Sequence, residues 1–380
     1  MTVLEKLNVG IVGAAGRGAS FRAPFDAHPV ARIHAVCDLR EDALAQAAEK
    51  LGATETYTDY AHMLAKSDID AVVIGTPMHF HAPQAIAALA QNVHVLSEVT
   101  AGVSVQECRD LVQAVARSNA VYMMAENYTY AKPSVLIKEL VRRGLFGNVY
   151  YAEGEYLHEL KELNEITPWR RIWQTGIDGV TYGTHSLGPV LQWLNAGPQS
   201  PDRVIRVCCE GSGHHYRDPR GDLYENQDSC LMLCKTAQDA LIKIRVDMLS
   251  TRPHAMHNHC LQGTKGCYES ARCPQERNRV WLADLCADSP ANKDSWLDLT
   301  DLETEYLPEM WRDPPEKALQ AGHGGGDYFE VLDFINSIVD GTPCPIGIHE
   351  AMDMTLPGLI SQASIANGGR WMDVPDSREW

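Results

Sequence analysis

Two groups of residues have the types and spacing for chemistry. Gly13-Ala14-Ala15-Gly16-Arg17-Gly18 follows an apolar run, Leu7 to Val12, and opens a stretch of helical pattern. In that setting a Gly-x-Gly-x-x-Gly turn lays its backbone against a pyrophosphate. Gly13 allows the tight turn, Ala15 takes the second glycine place, and Gly18 permits close packing of helix on strand. Asp38 ends the next apolar run, where an acidic side chain accepts the ribose hydroxyls of NAD and repels a 2′-phosphate. Arg40, two residues on, keeps an NADP reading open. In the second group, Tyr182 and His185 are three residues apart and share a face if their segment is helical. Imidazole exchanges protons near neutral pH. His254, His257 and His259 also cluster, but no carboxylate or thiolate stands at a confirming interval, so no metal is assigned.

The elements that must position these groups fall into two patterns. Over the first 125 residues short apolar runs alternate with helical stretches, the rhythm of βαβ units and a parallel sheet. Strands are expected at Leu7 to Val12, Ile33 to Cys37, Ala71 to Ile74, His94 to Ser97 and Val121 to Ala125. Helices are expected at Glu41 to Leu51, Ala82 to Gln91 and, behind a Ser N-cap, Ser104 to Ser118. From residue 126 onward a helix at Pro133 to Arg143 stops at Gly144, and alternating runs follow at Val149 to Tyr156, Val204 to Cys209, Ser229 to Lys235 and Leu241 to Met248. These lack regular crossover helices, which predicts a largely antiparallel open sheet. The fold class is α/β: a doubly wound parallel sheet over 1–125, followed by an α+β domain over 126–380. Segments 211–228, 287–294 and 308–326 read as loops.

Composition sets the outer limits. The 380 residues favour two domains, and 45% hydrophobic with 22% charged residues is ordinary for a folded enzyme. A net charge of −17 argues against nucleic acid as a partner. The eleven cysteines are scattered, with no Cys-x-x-Cys pair, so neither a disulfide framework nor a zinc site is indicated. No run is long enough for a membrane helix, and the first apolar run is too short for an export signal, so a cytoplasmic protein is expected.

Further segments carry a resemblance. Val72-Val73-Ile74-Gly75-Thr76-Pro77, His81, Ala87-Ala88-Leu89 and His94-Val95-Leu96-Ser97-Glu98 resemble the nucleotide-binding (Rossmann) domain of the Gfo/Idh/MocA oxidoreductases. Dehydrogenases of that group have Glu-Lys-Pro at the last of these strands, and the lysine helps activate the substrate hydroxyl. Here the chain reads Glu98-Val99-Thr100. The second half resembles the NAD-dependent glycosidases of glycoside hydrolase family 109, typified by α-N-acetylgalactosaminidases. The matching segments include Ala152-Glu153-Gly154-Glu155-Tyr156-Leu157-His158, Trp169-Arg170, Tyr182-Gly183-Thr184-His185, Arg252-Pro253, Gly263-Thr264-Lys265-Gly266 and Gly322-His323-Gly324-Gly325-Gly326-Asp327.

The resemblance implies a redox-neutral glycosidase. Oxidation at the sugar C3 acidifies the C2 hydrogen, a base removes it with loss of the C1 substituent, and water addition and reduction follow. No pair of carboxylates astride the bond is needed, unlike most glycosidases. By the same resemblance His185 serves the C3 hydroxyl, Tyr156 the C2 proton, and Tyr182 joins them. A phenol in that role needs nearby positive charge, with Arg170, Arg171, Lys265 or His158 as sources. Cofactor contacts are expected from Gly13, Ala15, Gly16, Arg17, Gly18, Asp38, Arg40, Thr76, Pro77, His79, His81, Glu98 and Asn127. Sugar contacts are expected from His158, Trp169, Arg170, Arg171, Thr184, Arg252, Lys265 and His323. The basic residues would suit an anionic sugar such as a uronate, and a neutral N-acetylhexosamine stays equally open. A sugar dehydrogenase releasing NADH and a non-catalytic sugar sensor are the alternatives. Subunit pairing into a homodimer or homotetramer is expected by analogy.

Overall fold

In the computed structural model, which describes residues 6–286 and 295–380, the loop expected at 287–294 lies outside the described residues. The chain divides into two compact units, and not by one cut at residue 125. The first unit runs to Tyr130 and also takes Pro314–Met352 and Ser377–Trp380; the second takes Ala131–Asp313 and Asp353–Asp376. The returning segment joins the first unit through contacts that no local pattern announces. The Met124 N–H donates to the Ile346 carbonyl at 3.0 Å, and a Cβ on Gly326 would lie 2.7 Å from the Tyr130 carbonyl oxygen.

The first unit holds six parallel strands: β1 (Leu7–Val12), β2 (Ala31–Cys37), β3 (Glu55–Tyr57), β4 (Ala71–Ile74), β5 (His94–Glu98) and β6 (Tyr122–Ala125). Their order is β3-β2-β1-β4-β5-β6, the doubly wound arrangement expected. β1 and β4 are buried at every position, as parallel strands covered on both faces must be. The helix Val105–Arg117 is capped by Ser104, whose Oγ accepts from the Glu107 N–H at 3.2 Å. β3 was not anticipated, because its three residues carry no buried apolar run. The helix after the glycine loop is only a 3-10 turn, Arg17–Phe21, followed by Arg22–Asp26.

Among its described residues the second unit carries nine strands: β7 (Val149–Leu157), β8 (Val204–Gly211), β9 (Cys230–Thr236), β10 (Leu241–Asp247), β11 (Ala255–Gly263), β12 (Gly266–Glu269), β13 (Arg279–Leu282), β14 (Leu297–Asp298) and β15 (Met372–Asp373). They lie in the order β14-β13-β12-β11-β7-β10-β9-β8-β15. Among the described strands of this sheet β7 and β10 alone pair parallel, so the sheet is largely antiparallel. The helix Thr184–Leu194 packs on β7 and is buried nearly all round, although Pro189 lies within it. Segment 211–228 is a loop with one isolated bridge, whereas 308–326 includes the helical turns Glu309–Arg312, Ala318–Gln320 and His323–Gly325. Among the described residues no helix is long and apolar enough to cross a membrane.

Candidate active site

Three glycines interlock at the end of β1. Gly13 has φ +79°, and a Cβ there would meet the Gly75 carbonyl oxygen at 2.5 Å. A Cβ on Gly18 would lie 2.6 Å from Ile11, and one on Gly75 would lie 2.7 Å from the Gly18 nitrogen. The loop and the end of β4 therefore touch backbone to backbone at the point where strand order reverses, the place where open α/β sheets bind ligands. Asp38 is buried at the end of β2. Its carboxylate accepts the Ala15 N–H at 2.8 Å, the Arg40 N–H at 3.0 Å and the Arg40 Nε at 3.1 Å. Burial pushes its pKa up, but hydrogen bonds from Arg40 and Ala15 outweigh this and hold it below the ordinary carboxylate value. A fixed anion at this place suits ribose hydroxyls. Arg40 is engaged with it rather than waiting for a 2′-phosphate.

Beyond the loop a polar chain runs through the first unit. Arg17 Nε donates to Glu98 at 2.5 Å, and Arg17 Nη1 lies 3.8 Å from Asp327. Asp327, 1% exposed, accepts from His323 Nδ1 at 2.8 Å. Asn127 Nδ2 lies 3.3 Å from the same imidazole. A Cβ on Gly322 would meet an Asp327 oxygen at 2.4 Å, so the glycines of this motif let His323 and Asp327 meet. Glu330, one helical turn on and fully buried, is pushed well above the ordinary carboxyl value by burial and by Asp327 and Glu98. Among the described residues the buried Asn127 Oδ1 and Arg17 Nη2 have no hydrogen-bond partner. These orphaned polar atoms, the glycine cradle and Asp38 fit NAD.

Several expected cofactor ligands also have partners within the protein. Both ring nitrogens of the buried His81 face carbonyls, Thr76 at 2.8 Å and Thr100 at 2.9 Å, so it pins two loops together. Burial lowers its pKa. Thr76 gives its hydroxyl to Gln84, Pro77 leads into the turn Met78–Phe80, and the half-buried His79 packs on Phe80. Gly16 continues the loop.

In the second unit Tyr156, Tyr182 and His185 converge. Ring centroids lie 5.7 Å apart for Tyr156 and Tyr182, 5.3 Å for Tyr156 and His185, and 5.3 Å for Tyr182 and His185. Tyr156 is next to last in β7, His185 sits in the first turn of Thr184–Leu194, and Tyr182 precedes that helix rather than sharing its face. Gly154 brings them together, for a Cβ there would lie 2.5 Å from the Ser186 carbonyl oxygen. The Tyr156 hydroxyl bonds to His158 Nδ1 at 2.7 Å. Burial first, then His254, Arg170 and His185, pull the His158 pKa down to about 4. His158 is therefore neutral at pH 7, where a source of positive charge was expected.

The basic residues expected around the sugar do not gather. Arg171 is held by Asp218 at 3.3 Å, by Glu225 and by the Leu223 carbonyl. Lys265 lies in the turn beyond β11 and pairs with Asp284. Gly263 is in register with Val149 and Ala255 with Leu157, so seven residues of strand, about 23 Å, separate Lys265's end of β7 from Tyr156. Arg170 remains near His158, stacked on Trp169 and bonded to Thr167 and Gln174. Arg252 donates to the Pro253 carbonyl, and Thr184 is buried at the helix start. His323 belongs to the first unit. Two of the three neighbouring histidines diverge: His259 packs on Trp193 beneath the helix, while His254 meets the His158 ring edge-on. Among the described residues no three side chains form a metal-holding group.

The comparisons with known proteins follow the same division. Residues 7–126 match the oxidoreductase family with an NAD-binding Rossmann fold, and residues 130–379 match the family described as glycosyl hydrolase 109, C-terminal domain. A glycosyl hydrolase family 109 protein of Saccharopolyspora erythraea is 29% identical, over 98% of this chain and 83% of its own. An α-N-acetylgalactosaminidase of Shewanella oneidensis is 29% identical, over 98% and 85%. Among solved structures, levoglucosan dehydrogenase in complex with NADH and L-sorbose is similar in fold, with a TM-score of 0.80 at 20% identity over 98% of this chain and all of that one. An oxidoreductase domain protein from Kribbella flavida reaches 0.81 at 21% identity, over 97% and 99%. With a family match over residues 130–379 behind a dinucleotide loop that fits NAD, the chain belongs to glycosyl hydrolase family 109 and is an NAD-dependent enzyme acting on sugars.

Proposed function

We propose that the protein cleaves a glycoside by transient oxidation of its sugar rather than by carboxylate catalysis. The observation that carries this reading is the convergence of Tyr156, Tyr182 and His185, with the Tyr156 hydroxyl bonded to a neutral His158. Bound NAD supplies a hydride acceptor for the sugar C3 and later a hydride donor. His185 takes the C3 hydroxyl proton and Tyr182 hydrogen-bonds beside it. Once C3 is a ketone the C2 hydrogen is acidic, and Tyr156, as the phenolate left when its O–H proton passes to His158 Nδ1, removes it as the C1 substituent leaves. Tyr156 returns a proton to C2 as water adds at C1.

The substrate that fits is a neutral N-acetylhexosaminide. Two of the four cations that suggested an anionic sugar are engaged elsewhere, Arg171 with Asp218 and Lys265 with Asp284. The named relative from Shewanella oneidensis is an α-N-acetylgalactosaminidase. The test is an aryl N-acetyl-α-galactosaminide. Phenol release without accumulating NADH, slowed when C2 or C3 of the sugar carries deuterium, is the expected result. NADH formed in proportion to substrate would establish a dehydrogenase instead, and faster cleavage of an aryl uronide would overturn the neutral substrate.

A further inference from the structure

Tyr156 is 5% exposed, yet a phenol that takes a carbon-bound proton has to pass it on or hold it until the product forms. We propose that His158 and His254 form a proton wire from Tyr156 to solvent, so that the proton taken from the sugar C2 exchanges with water before one is returned. This rests on the glycosidase reading above and deepens it.

The sheet itself builds the wire. β11 is antiparallel to β7 with Ala255 opposite Leu157, and continuing that register by one residue sets His254 opposite His158. Their rings lie 4.5 Å apart at 65°. Along this line exposure rises from buried Tyr156 through half-buried His158 to exposed His254. At the inner end Tyr156 Oη and His158 Nδ1 are 2.7 Å apart. With the phenol donating, Nδ1 is the acceptor and Nε2 carries the ring hydrogen.

The groups acting on His158 keep it in that form. Arg170, His185 and His254 all disfavour its protonation, and Glu159, itself paired with Lys161, opposes them. A neutral imidazole with one lone pair inward and one N–H outward transfers a proton without becoming a trapped cation. The step balances: as the Tyr156 O–H proton moves to Nδ1, the Nε2 proton leaves toward His254 and water. The reverse movement brings in a solvent proton, and no electrons are gained or lost. The histidine cluster at 254–259, to which no metal is assigned, thus acquires a use for its first member.

The experiment is cleavage of the aryl glycoside in D2O by the full-length holoenzyme, with deuterium at C2 of the released sugar read by NMR. The wild type is expected to give nearly complete C2 deuteration. In His254→Leu and His254→Gln the C2 deuterium is expected to fall by about tenfold, because without the outer imidazole the return of the proton to C2 outruns its exchange with solvent. Added imidazole should restore it in His254→Ala. Folding is checked by retained NAD. Deuteration unchanged in the variants, no C2 deuterium in a wild type that cleaves, or rescued turnover without rescued deuterium would each overturn the wire. A wild type that releases no phenol, or that accumulates NADH, would strike the glycosidase reading itself and the wire with it.

Discussion

At the dinucleotide loop three glycines, Gly13, Gly18 and Gly75, bring backbone against backbone, and the nearby side chains are tied to one another: Arg40 to Asp38, and Arg17 to Glu98. In the tyrosine and histidine cluster one glycine, Gly154, lets a helix approach a strand, and side chains from three segments supply everything else. The first is a turn of bare backbone shaped by a positive-φ glycine, most of its N–H groups bonded to carbonyls or to Asp38. The second is an assembly of rings whose neighbours set their protonation. A diphosphate needs many weak donors at fixed places, whereas proton transfer needs few groups with tuned affinities.

Substitutions on each side test how separable the two regions are. His185→Ala is expected to lower kcat/KM on the aryl glycoside by about 10² to 10⁴ while leaving NAD retention intact; loss of bound NAD would show that the regions are not independent. Gly154→Val touches no functional side chain, yet it drives carbon into the Ser186 carbonyl. Turnover is expected to fall by about a hundredfold through misplacement, with about 1 to 3 kcal/mol lost in thermal unfolding. Wild-type turnover would mean that the helix approach is not what sets the rings. Asp38→Ala is expected to weaken NAD binding by roughly 10- to 100-fold, the range for hydrogen bonds to a charged acceptor, and to narrow the preference over NADP. Calorimetry measures both, and an unchanged NAD affinity would remove Asp38 from the ribose site.

Smaller effects refine the contrast. His158 has a folded pKa of about 4 against an ordinary 6.5, so between those values the unfolded chain binds more protons than the folded one. Stability is therefore lost as pH falls from 6.5 toward 4 and is fully present above 6.5. Melting temperatures across that window should show a flatter slope in His158→Gln; an equal slope would mean that His158 is not held neutral by its surroundings. Lys265→Ala is expected to leave kcat/KM within about twofold, because strand spacing sets it about 23 Å from Tyr156. A larger loss would contradict that separation.

How much was legible follows from where each interaction lies along the chain. β1 and β4 were readable because strands covered on both faces are continuous apolar runs. β11 was not: Asn258 and His259 are buried polar residues whose partners, Glu155 and Ser186, are far off in sequence. The helix Thr184–Leu194 was hidden by Gly188 and Pro189, which argue locally against a helix that packing nevertheless holds. Tyr156, Tyr182 and His185 were singled out through resemblance to a family, and the structure brings them together. Asp327 was within view, four residues after His323, but its pairing depends on glycines whose effect is spatial. Arg171 showed its charge in the sequence but not Asp218, which consumes it.

The sequence alone determined the dinucleotide loop, the doubly wound half and an acidic residue at the end of the second strand, because each depends on contiguous residues, local dihedral angles and an apolar run. Tertiary structure decided which cations are spent, that His158 is neutral, and that His254 stands beside it. Those outcomes depend on strand register and burial. Register places residues nearly a hundred positions apart side by side, and burial changes the cost of carrying charge, so neither can be read from a residue and its neighbours in the chain.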